Sequence, residues 1–218
     1  MCMEFTVEQT VKDLGIKCIG VRITGINNHH YSDSLNDYLN IHSQRLLKSS
    51  NVNDPIIQGF YDLHKKIGVS KRKNIPASEN LIKLLKKRHD ITRINPVVDI
   101  YNIISMESKL ALGAHDIDKI TGNVSLKLTD GKELFIPLGQ EEPKEVPANV
   151  YSYIDDNDEI ICYLEVRQVN KTKVTNDSKD IFFIVQGNEK TDYNYVKNVA
   201  EELITVITYY CGGTGKIL

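Results

Sequence analysis

The stretch that decides the fold is NPVVDIYNIISMESKLALGAHDIDKI, residues 95–120. Asn95 is a good helix N-cap, and Pro96 suits the first helical position, where its missing N–H leaves no hydrogen bond unmade. The residues that follow are apolar on nearly every side, which predicts a buried helix. Asp99 and Asn102 lie three residues apart, and therefore on one face of that helix. Because buried polar groups need hydrogen-bond partners, the helix predicts a polar spot inside a packed domain.

The four residues GAHD, 113–116, come after the helix and predict a turn. His115 and Asp116 in this turn can each hold or move a proton. Neighbours in sequence rarely face each other, so the pair alone is weak support for a catalytic arrangement. The two residues are therefore candidate acid or base groups rather than a defined site.

The composition is that of an ordinary soluble globular protein, with 218 residues, 41% apolar and 26% charged. No run of about 18 apolar residues is present, so we expect no membrane span. The first residues, MCMEFTVEQTVKDLG, contain no basic segment followed by an apolar one, and no secretory signal is expected. The four cysteines are scattered without a C-x-x-C pair, which favours reduced thiols in a cytoplasm over a structural zinc site. We therefore expect neither a bound metal nor a cofactor.

The net charge of −2 hides an uneven distribution. Residues 61–93 contain ten Lys or Arg against three acids, whereas the rest of the chain is acidic. A helix predicted from an N-cap at Ser78 turns its leucines inward and its basic residues outward: Lys83, Lys86, Lys87 and Arg88. Such a basic segment is a candidate phosphate-binding surface. A solvated helix face explains the same pattern equally well, and the sequence does not decide between the two.

The remaining segments predict helices and strands in a mixed order. Helical spacing of apolar residues predicts further helices that begin at Ser32 or Asp33, at Pro55, and at Thr191 or Asp192. Alternating or apolar runs predict strands within residues 4–7, 16–26 and 180–187. Two hairpins are predicted, one over residues 123–139 with its turn at Asp130–Gly131, and one over residues 149–168 with its turn at 155–158.

The order of five segments resembles a known family. IPASENLIKLL, INPVVDIYNIISM, GAHDIDKITGNVSLKL, ELFIPLG and LEVRQVNKTKVT follow one another as in the B3/B4 editing domain of the bacterial phenylalanyl-tRNA synthetase β subunit. The likeness is closer to stand-alone proteins that consist of this module alone, and it is clearest from Ile75 to Gly187. It implies an α+β fold, a three-layer β-sandwich of unusual topology covered by helices. It also implies one domain over residues 1–218, with residues 1–74 packed on a core at 75–187 and a C-terminal helix and tail at 188–218.

In the synthetase, this module hydrolyses tyrosine wrongly attached to the phenylalanine tRNA. Asn102 matches the asparagine that the synthetase carries in the D-x-x-N helix of its pocket. At the place of a pocket histidine the chain has Gly113, and His115 stands where the synthetase has a phenylalanine. At the place of a pocket glutamate, late in the domain, the chain has Ile184. The resemblance therefore implies an editing-like site. Of the three pocket residues of the synthetase, the asparagine is matched here, whereas the histidine and the glutamate are missing or displaced.

Five other polar residues are candidates for a replacement set: Asp99, His115, Asp116, Glu165 and Arg167. Glu165 and Arg167 are two apart on a predicted strand and so face the same side of it. An inward-facing Arg167 would seek a carboxylate, with Asp99 the obvious partner, in an internal salt bridge that costs about 3–5 kcal/mol to break. Alternatively, Arg167 binds a substrate phosphate or carboxylate, and His115 acts as the acid or base. Both interpretations stay open.

These residues support a first hypothesis, a stand-alone editing-like domain that binds tRNA or an aminoacyl-tRNA end and acts in trans as a deacylase. Asn102 and His115 would line the amino-acid pocket, and the basic residues between 83 and 88 would contact phosphates. Ester hydrolysis needs only a positioned water and an oxyanion donor, so the lack of a nucleophilic triad does not exclude it. The second hypothesis is a non-catalytic module that binds a small amino-acid-like ligand or a protein partner in the same pocket. A third is a scaffold whose pocket is closed.

Overall fold

A computed structural model of the protein describes residues 3–218. Within that range the chain forms six α-helices: α1 (Gln9–Lys12), α2 (Asp33–Ser49), α3 (Pro55–Lys66), α4 (Ala77–Arg88), α5 (Pro96–Ser108) and α6 (Tyr193–Cys211). Over the same residues it forms nine strands: β1 (Phe5–Val7), β2 (Lys17–Thr24), β3 (Ala111–Asp116), β4 (Val124–Leu128), β5 (Tyr151–Asp155), β6 (Ile160–Tyr163), β7 (Arg167–Gln168), β8 (Ile181–Gly187) and β9 (Thr214–Ile217). The predicted α+β class is confirmed.

The strands form two sheets. The first has the order β1-β4-β5-β6-β7, and the second has the order β3-β8-β2-β9. The pairing is antiparallel throughout except between β1 and β4, which run parallel. The strands nearest the N-terminus thus enter both sheets, β1 at the edge of the first and β2 in the interior of the second.

The alternation of side chains along β8 explains how the layers stack. Phe183 and Val185 point into a core that the second sheet shares with α2, α4, α5 and α6. Phe182 and Ile184 point the other way, into a core that this sheet shares with the first sheet. Successive residues of a strand face opposite sides, so one apolar strand serves two cores. The second sheet is therefore the middle of three layers, which confirms the predicted three-layer sandwich.

Helix α5 begins as the sequence predicts. Asn95 is its N-cap, and its side chain accepts a hydrogen bond from the backbone N–H of Val98 at 3.0 Å. Pro96 occupies the first turn, and almost every residue of the helix is buried. The helix ends at Lys109, whose backbone lies in the left-handed region with φ of 63°. The chain then enters β3 directly, so α5 lies against the same sheet that it leads into.

The predicted turn at residues 113–116 is wrong, because these residues complete β3. His115 pairs with Phe182 and Asp116 pairs with Ile181 across the ladder to β8. This pairing satisfies the backbone, while the small and apolar residues of the segment are buried in the layers on either side. The glycine and aspartate that indicated a turn are tolerated within an edge strand.

The first predicted hairpin is also wrong. Strand β4 pairs with β5 rather than with residues 134–136, which form only isolated bridges. Three prolines between 137 and 147 lack a backbone donor for a ladder, whereas β5 offers the fully buried Tyr151 and Tyr153. The second predicted hairpin is confirmed, because β5 and β6 pair antiparallel around the turn that begins at Asp155.

The helix starts are confirmed with one exception. The side chains of Ser32, Asp54 and Asp192 accept the expected hydrogen bonds from the first turns of α2, α3 and α6. Helix α4 instead begins at Ala77, one residue before Ser78, and has no side-chain cap. The Ser78 hydroxyl donates to the carbonyl oxygen of Lys109 at 3.1 Å. Ser78 therefore joins α4 to the end of α5 instead of capping its own helix.

Candidate functional site

A cavity of about 330 Å³ opens where the start of α4, the middle of α5 and both sheets meet. We call it the principal cavity. Its lining residues are Ile75, Ala77, Asn80, Leu81, Tyr101, Asn102, Ala111, Leu112, Gly113, Leu138, Tyr153, Cys162, Glu165, Val166, Gln168 and Ile184. The three positions that the family resemblance singles out, Asn102, Gly113 and Ile184, are all in this lining. Of the two residues in the polar spot predicted from the central helix, Asn102 borders this open space, so the hypothesis of a closed scaffold is wrong.

Three uncharged amides face the principal cavity, those of Asn80, Asn102 and Gln168. Asn102 is half-buried, and its side chain makes no hydrogen bond to the described residues. Gln168 fills the space beside Gly113, because a Cβ at that glycine would lie 3.2 Å from Gln168 Nε2. The same Nε2 donates to the carbonyl oxygen of Ala114 at 3.4 Å. These three side chains therefore present donors and acceptors without a formal charge.

Two tyrosines and a cysteine add further polar groups to the lining. Burial raises the pKa of Tyr101, Tyr153 and Cys162, so all three stay neutral in the physiological range. The Tyr153 hydroxyl donates to Gln186 Oε1 at 2.5 Å, which holds the ring in place from behind. These groups can donate or accept hydrogen bonds, but they do not supply a base at neutral pH.

Glu165 lies in the turn between β6 and β7 and not on a strand, so the prediction that it shares a strand face with Arg167 is wrong. Its Oε1 lies 2.8 Å from Nε2 of His64, and both side chains are almost completely buried. Its Oε2 accepts a hydrogen bond from the Tyr151 hydroxyl. Burial would lower the pKa of His64, but the Glu165 carboxylate and a backbone hydrogen bond at Asn74 together outweigh that effect, and the pKa of His64 is raised. The Glu165 carboxylate is therefore committed to an internal pair behind the cavity.

The predicted pair between Asp99 and Arg167 is wrong. Arg167 Nη2 donates to the carbonyl oxygen of Lys73 at 2.8 Å. The Asp99 carboxylate accepts hydrogen bonds from the Tyr31 hydroxyl at 2.7 Å and from the backbone N–H of Ile94 at 2.9 Å. These nearer donors satisfy Asp99 without a cation, and burial raises its pKa. Asp99 does not line the principal cavity.

His115 does not line the principal cavity either, so the expected pair with Asn102 is wrong. The side chain is completely buried between the sheets, where Nδ1 lies 2.8 Å from Thr172 Oγ1. Burial lowers the pKa of His115 to about 3, so the ring is neutral near pH 7. Asp116 accepts from the Ser178 hydroxyl at 2.6 Å and from the backbone N–H of Asp118 at 3.1 Å. Both residues therefore fix the end of β3 instead of bordering the cavity.

The four basic residues of α4 are exposed, as predicted. Lys83 Nζ lies 2.5 Å from Glu79 Oε1, Lys86 Nζ donates to the Ser50 carbonyl oxygen at 2.7 Å, and Arg88 Nη1 donates to Thr92 Oγ1 at 2.6 Å. The same helix supplies Asn80 and Leu81 to the principal cavity. The basic surface and the cavity thus share one helix.

Sequence reasoning missed Gln168, Asn80 and the His64–Glu165 pair. Gln168 carries no local signal, because its importance comes from the empty space at Gly113 on another strand. His64 is an isolated histidine on an apolar helix face, a pattern that indicates a core or boundary histidine rather than a ligand. Its partner is about a hundred residues away in sequence, and such a contact leaves no periodic pattern in either segment.

Among residues 3–218, no group of three or more His, Cys, Asp or Glu is placed to hold a metal ion. No helix in the described part of the chain is long and apolar enough to cross a membrane.

Comparisons with known proteins agree with this architecture. The family model for the B3/4 domain matches residues 63–212. The phenylalanine–tRNA ligase β subunit of Methanococcus maripaludis strain C5 is 29% identical over 111 residues, which is 42% of this chain and 20% of that protein. The β subunit of Mycoplasma pneumoniae is 28% identical over 116 residues, 52% of this chain and 14% of that one. The β subunit of Dictyostelium discoideum is 25% identical over 134 residues, 50% of this chain and 21% of that one. The chain thus matches about a fifth or less of each relative.

A solved structure gives the same result for the fold. An N-terminal fragment of the phenylalanyl-tRNA synthetase β subunit from Pyrococcus horikoshii superimposes with a TM-score of 0.54 and 16% sequence identity. The superposition covers 99% of this chain and 50% of that fragment. Because the family model covers more than half of the chain and the folds agree, the protein belongs to the B3/4 domain family and is related to the β subunit of phenylalanyl-tRNA synthetase.

Proposed function

We propose that this B3/4 domain binds the aminoacylated end of a tRNA, holds the amino acid in the principal cavity, and hydrolyses the ester of a mischarged tRNA in trans. The observation that carries the proposal is that Asn102, Gly113 and Ile184 line one open cavity. These three positions are distant in sequence, and the family resemblance assigns all of them to an amino-acid pocket. The proposal also puts the protein in the cytoplasm, where charged tRNA is found.

The size and lining of the principal cavity support an amino-acid ligand. Its volume of about 330 Å³ is at the lower end of the range for small-molecule sites, about 300–1,000 Å³. Apolar walls from Leu81, Leu112 and Ile184 suit a side chain, and the amides suit the polar backbone of an amino acid. The absence of the synthetase's glutamate, replaced by Ile184, favours a ligand side chain that is more apolar than tyrosine.

Hydrolysis at this site would rely on positioning. A water oxygen adds to the ester carbonyl carbon, the bond from that carbon to the ribose oxygen breaks, and the water's proton passes to the ribose oxygen. In this proposal the amide N–H groups of Asn102 and Gln168, both of which line the cavity, stabilise the oxyanion that forms on the carbonyl oxygen. In acyl-transfer enzymes with an oxyanion hole, removal of one such donor costs about 10²–10³ in rate.

The exposed cations of α4 supply the contact to RNA in this proposal. Lys83, Lys86, Lys87 and Arg88 stand on the helix that borders the cavity, and all four are accessible to solvent. Contacts from lysine and arginine to phosphates release counterions, so binding would weaken steeply with salt. The tRNA would then lie along α4 with its end at the cavity mouth.

A panel of mischarged tRNAs tests the proposal. Purified protein is expected to release the amino acid from at least one ester, and Asn102→Ala is expected to lower that rate at least about tenfold. Asn198→Ala, an exposed asparagine on α6 outside the cavity, is the matched control and should match the parent protein. No release from any tRNA, together with no tRNA binding, would overturn the proposal.

A second candidate function is a non-catalytic module that binds a small amino-acid-like ligand or a protein partner. It is favoured by the state of the ionisable groups, because Glu165 is paired with His64 and the tyrosines and the cysteine of the lining are neutral. Free amino acids should then raise the melting temperature in step with ligand concentration. Asn102→Ala should abolish that shift while no tRNA ester is hydrolysed.

A further inference from the structure

The face of the first sheet that is turned away from the second sheet carries a groove that the proposed function does not use. Ile154 and Ile160 on this outer face form a small core with Phe135, Val146 and Val169, to which the described helices contribute no residue. Beside this core lies a cavity of about 350 Å³, which we call the outer groove. It shares no lining residue with the principal cavity. Its apolar lining consists of Leu134, Ile136, Ile160, Ile161 and Val169.

One wall of the outer groove is exposed apolar surface on a fixed backbone. Leu134 is 43% exposed although it lines the groove. Its backbone N–H donates to the carbonyl oxygen of Asp158 at 3.1 Å, and its carbonyl oxygen accepts from the N–H of Ile160 at 2.9 Å. Four residues later, the N–H of Leu138 donates to the carbonyl oxygen of Gln168 at 2.8 Å. Because these bonds hold the wall in place, the groove is formed before a partner binds, and little conformational entropy is lost on binding.

The rim of the outer groove is acidic. Residues 130–145 contain five Asp or Glu against two Lys. Glu159 and Lys171 both line the groove and pair with each other, with Oε2 and Nζ 2.5 Å apart. Glu141 also lines the groove, is exposed, and belongs to no ion pair among residues 3–218. The rim therefore carries a net negative charge, and the lysine in the lining is already committed to a carboxylate.

An acidic rim around an apolar groove selects the chemistry of its occupant. Phosphate groups would be repelled by the rim, whereas lysine or arginine would be attracted to it. The apolar base suits an uncharged side chain, which would cover the exposed surface of Leu134. A protein segment that carries both kinds of residue meets both conditions, whereas a nucleic acid fails the first.

We propose that the outer groove binds a basic segment of a partner protein. One or two apolar side chains of this segment lie in the groove against Leu134 and Ile136, and its lysines or arginines lie beside Glu141. The principal cavity takes no part in this contact, so the inference does not depend on the proposed function.

A designed peptide tests the outer groove directly. The probe is a fluorescent octapeptide with two central leucines between two runs of three lysines, and fluorescence anisotropy measures its binding. We expect saturable binding that weakens as salt is raised, because the contact with Glu141 is exposed to solvent. A peptide with serines in place of the leucines should bind at least about tenfold more weakly. A peptide with glutamates in place of the lysines should not bind.

Two variants locate the binding site on the protein. Leu134→Gln should weaken the leucine peptide at least about tenfold, because it makes the exposed wall polar. Glu141→Lys should weaken it about tenfold, because it reverses a charge of the rim. The matched controls are Ile41→Gln, at a 66% exposed apolar position of α2, and Glu201→Lys, at an exposed acid of α6. Both controls should bind the peptide within about twofold of the parent protein, because they lie outside the groove.

Three outcomes would overturn the inference. Equal affinity for the leucine and serine peptides would mean that charge alone attracts the probe and that the groove stays empty. Unchanged binding in Leu134→Gln or in Glu141→Lys, with melting temperatures equal to that of the parent protein, would place the peptide elsewhere. A dimer of the parent protein in sedimentation that Leu134→Gln abolishes would assign the groove to a second copy of the chain. None of these measurements involves ester hydrolysis, so the proposed function stands or fails separately.

Discussion

The mouth of the principal cavity and the packed interior behind it are both polar, but they use different chemistry. At the mouth, the amides of Asn80, Asn102 and Gln168 face open space without charge. In the interior, His64 pairs with Glu165 and His115 meets only Thr172. The two buried histidines therefore stabilise the fold, and the three amides are available to a ligand.

The largest expected effect comes from breaking the interior pair. His64→Ala leaves the Glu165 carboxylate buried without its cation, and we expect the free energy of unfolding to fall by about 3–5 kcal/mol. Urea unfolding at pH 6 measures the change. His30→Ala, at an exposed position, is the control and should change stability by less than about 0.5 kcal/mol.

The pH dependence of the same pair has a defined sign. Because the pKa of His64 is raised above its ordinary value of 6.5, the charged pair contributes fully below pH 6.5. Its contribution is lost as the pH rises through the folded-state pKa. The stability difference between His64→Ala and the parent protein should therefore shrink in alkaline solution. A constant difference from pH 5 to 10 would contradict the assigned ion pair.

The second effect concerns His115 and has the opposite sign. Its pKa is lowered to about 3 from 6.5, so the unfolded chain binds a proton that the folded chain does not. Stability is therefore lost as the pH falls below 6.5, by about 1.4 kcal/mol per pH unit from this group. His115→Leu should remove about 2–3 kcal/mol of that loss at pH 4.5. If the free energy of unfolding falls by the same amount in the parent protein and in His115→Leu between pH 7 and 4.5, the ring is accessible to protons in the folded state.

The third effect tests the mouth of the cavity. Gly113→Ala places a Cβ 3.2 Å from Gln168 Nε2, so the amide must shift. We expect the free energy of unfolding to change by less than about 1 kcal/mol. The rate of ester hydrolysis, or the ligand affinity reported by the melting shift, should fall about tenfold. In a Gln168→Ala background the same change should have little further effect. Independent, additive losses would mean that the two residues do not act together.

The smallest effect concerns the basic surface of α4. Arg88→Gln and Lys87→Gln each remove one exposed charge, and stability should change by less than about 0.5 kcal/mol. Each should reduce the slope of log affinity against log salt for tRNA by about one. Filter binding at several salt concentrations measures the slope. Lys48→Gln on α2 should leave it unchanged, and equal slopes in all four proteins would exclude α4 as the RNA contact.

Local signals predict much of this fold. Asn95 and Pro96 mark the start of α5, and the apolar residues that follow mark it as buried. The alternation around residues 149–163 predicts the β5–β6 hairpin. The sequence does not predict the long-range strand pairing, because β4 pairs with β5 and not with the nearer residues 134–136. The choice depends on which partner buries more apolar surface, and the local pattern of either strand is equally compatible with both.

The candidate site divides in the same way. Asn102 is predicted correctly as a cavity residue, because its position on the buried helix is a local property. His115 is placed wrongly because a turn and an edge strand point the side chain in different directions. Gln168 could not be found from its own segment, because its place is created by the missing side chain at Gly113. Contacts between distant strands thus decide which polar residues meet the ligand.

The partners of β2 determine when this molecule can assemble. Ile23 pairs with Ile181 on one side, and Thr24 pairs with Thr214 on the other. Pairing over such distances along the chain carries a large loop-closure entropy before any stabilisation is gained, and it slows folding. During synthesis, β2 is made before either of its partners, because β8 and β9 both lie far downstream in the chain. The middle layer, on which the helices and the other sheet both pack, therefore cannot complete its pairing until those strands have followed.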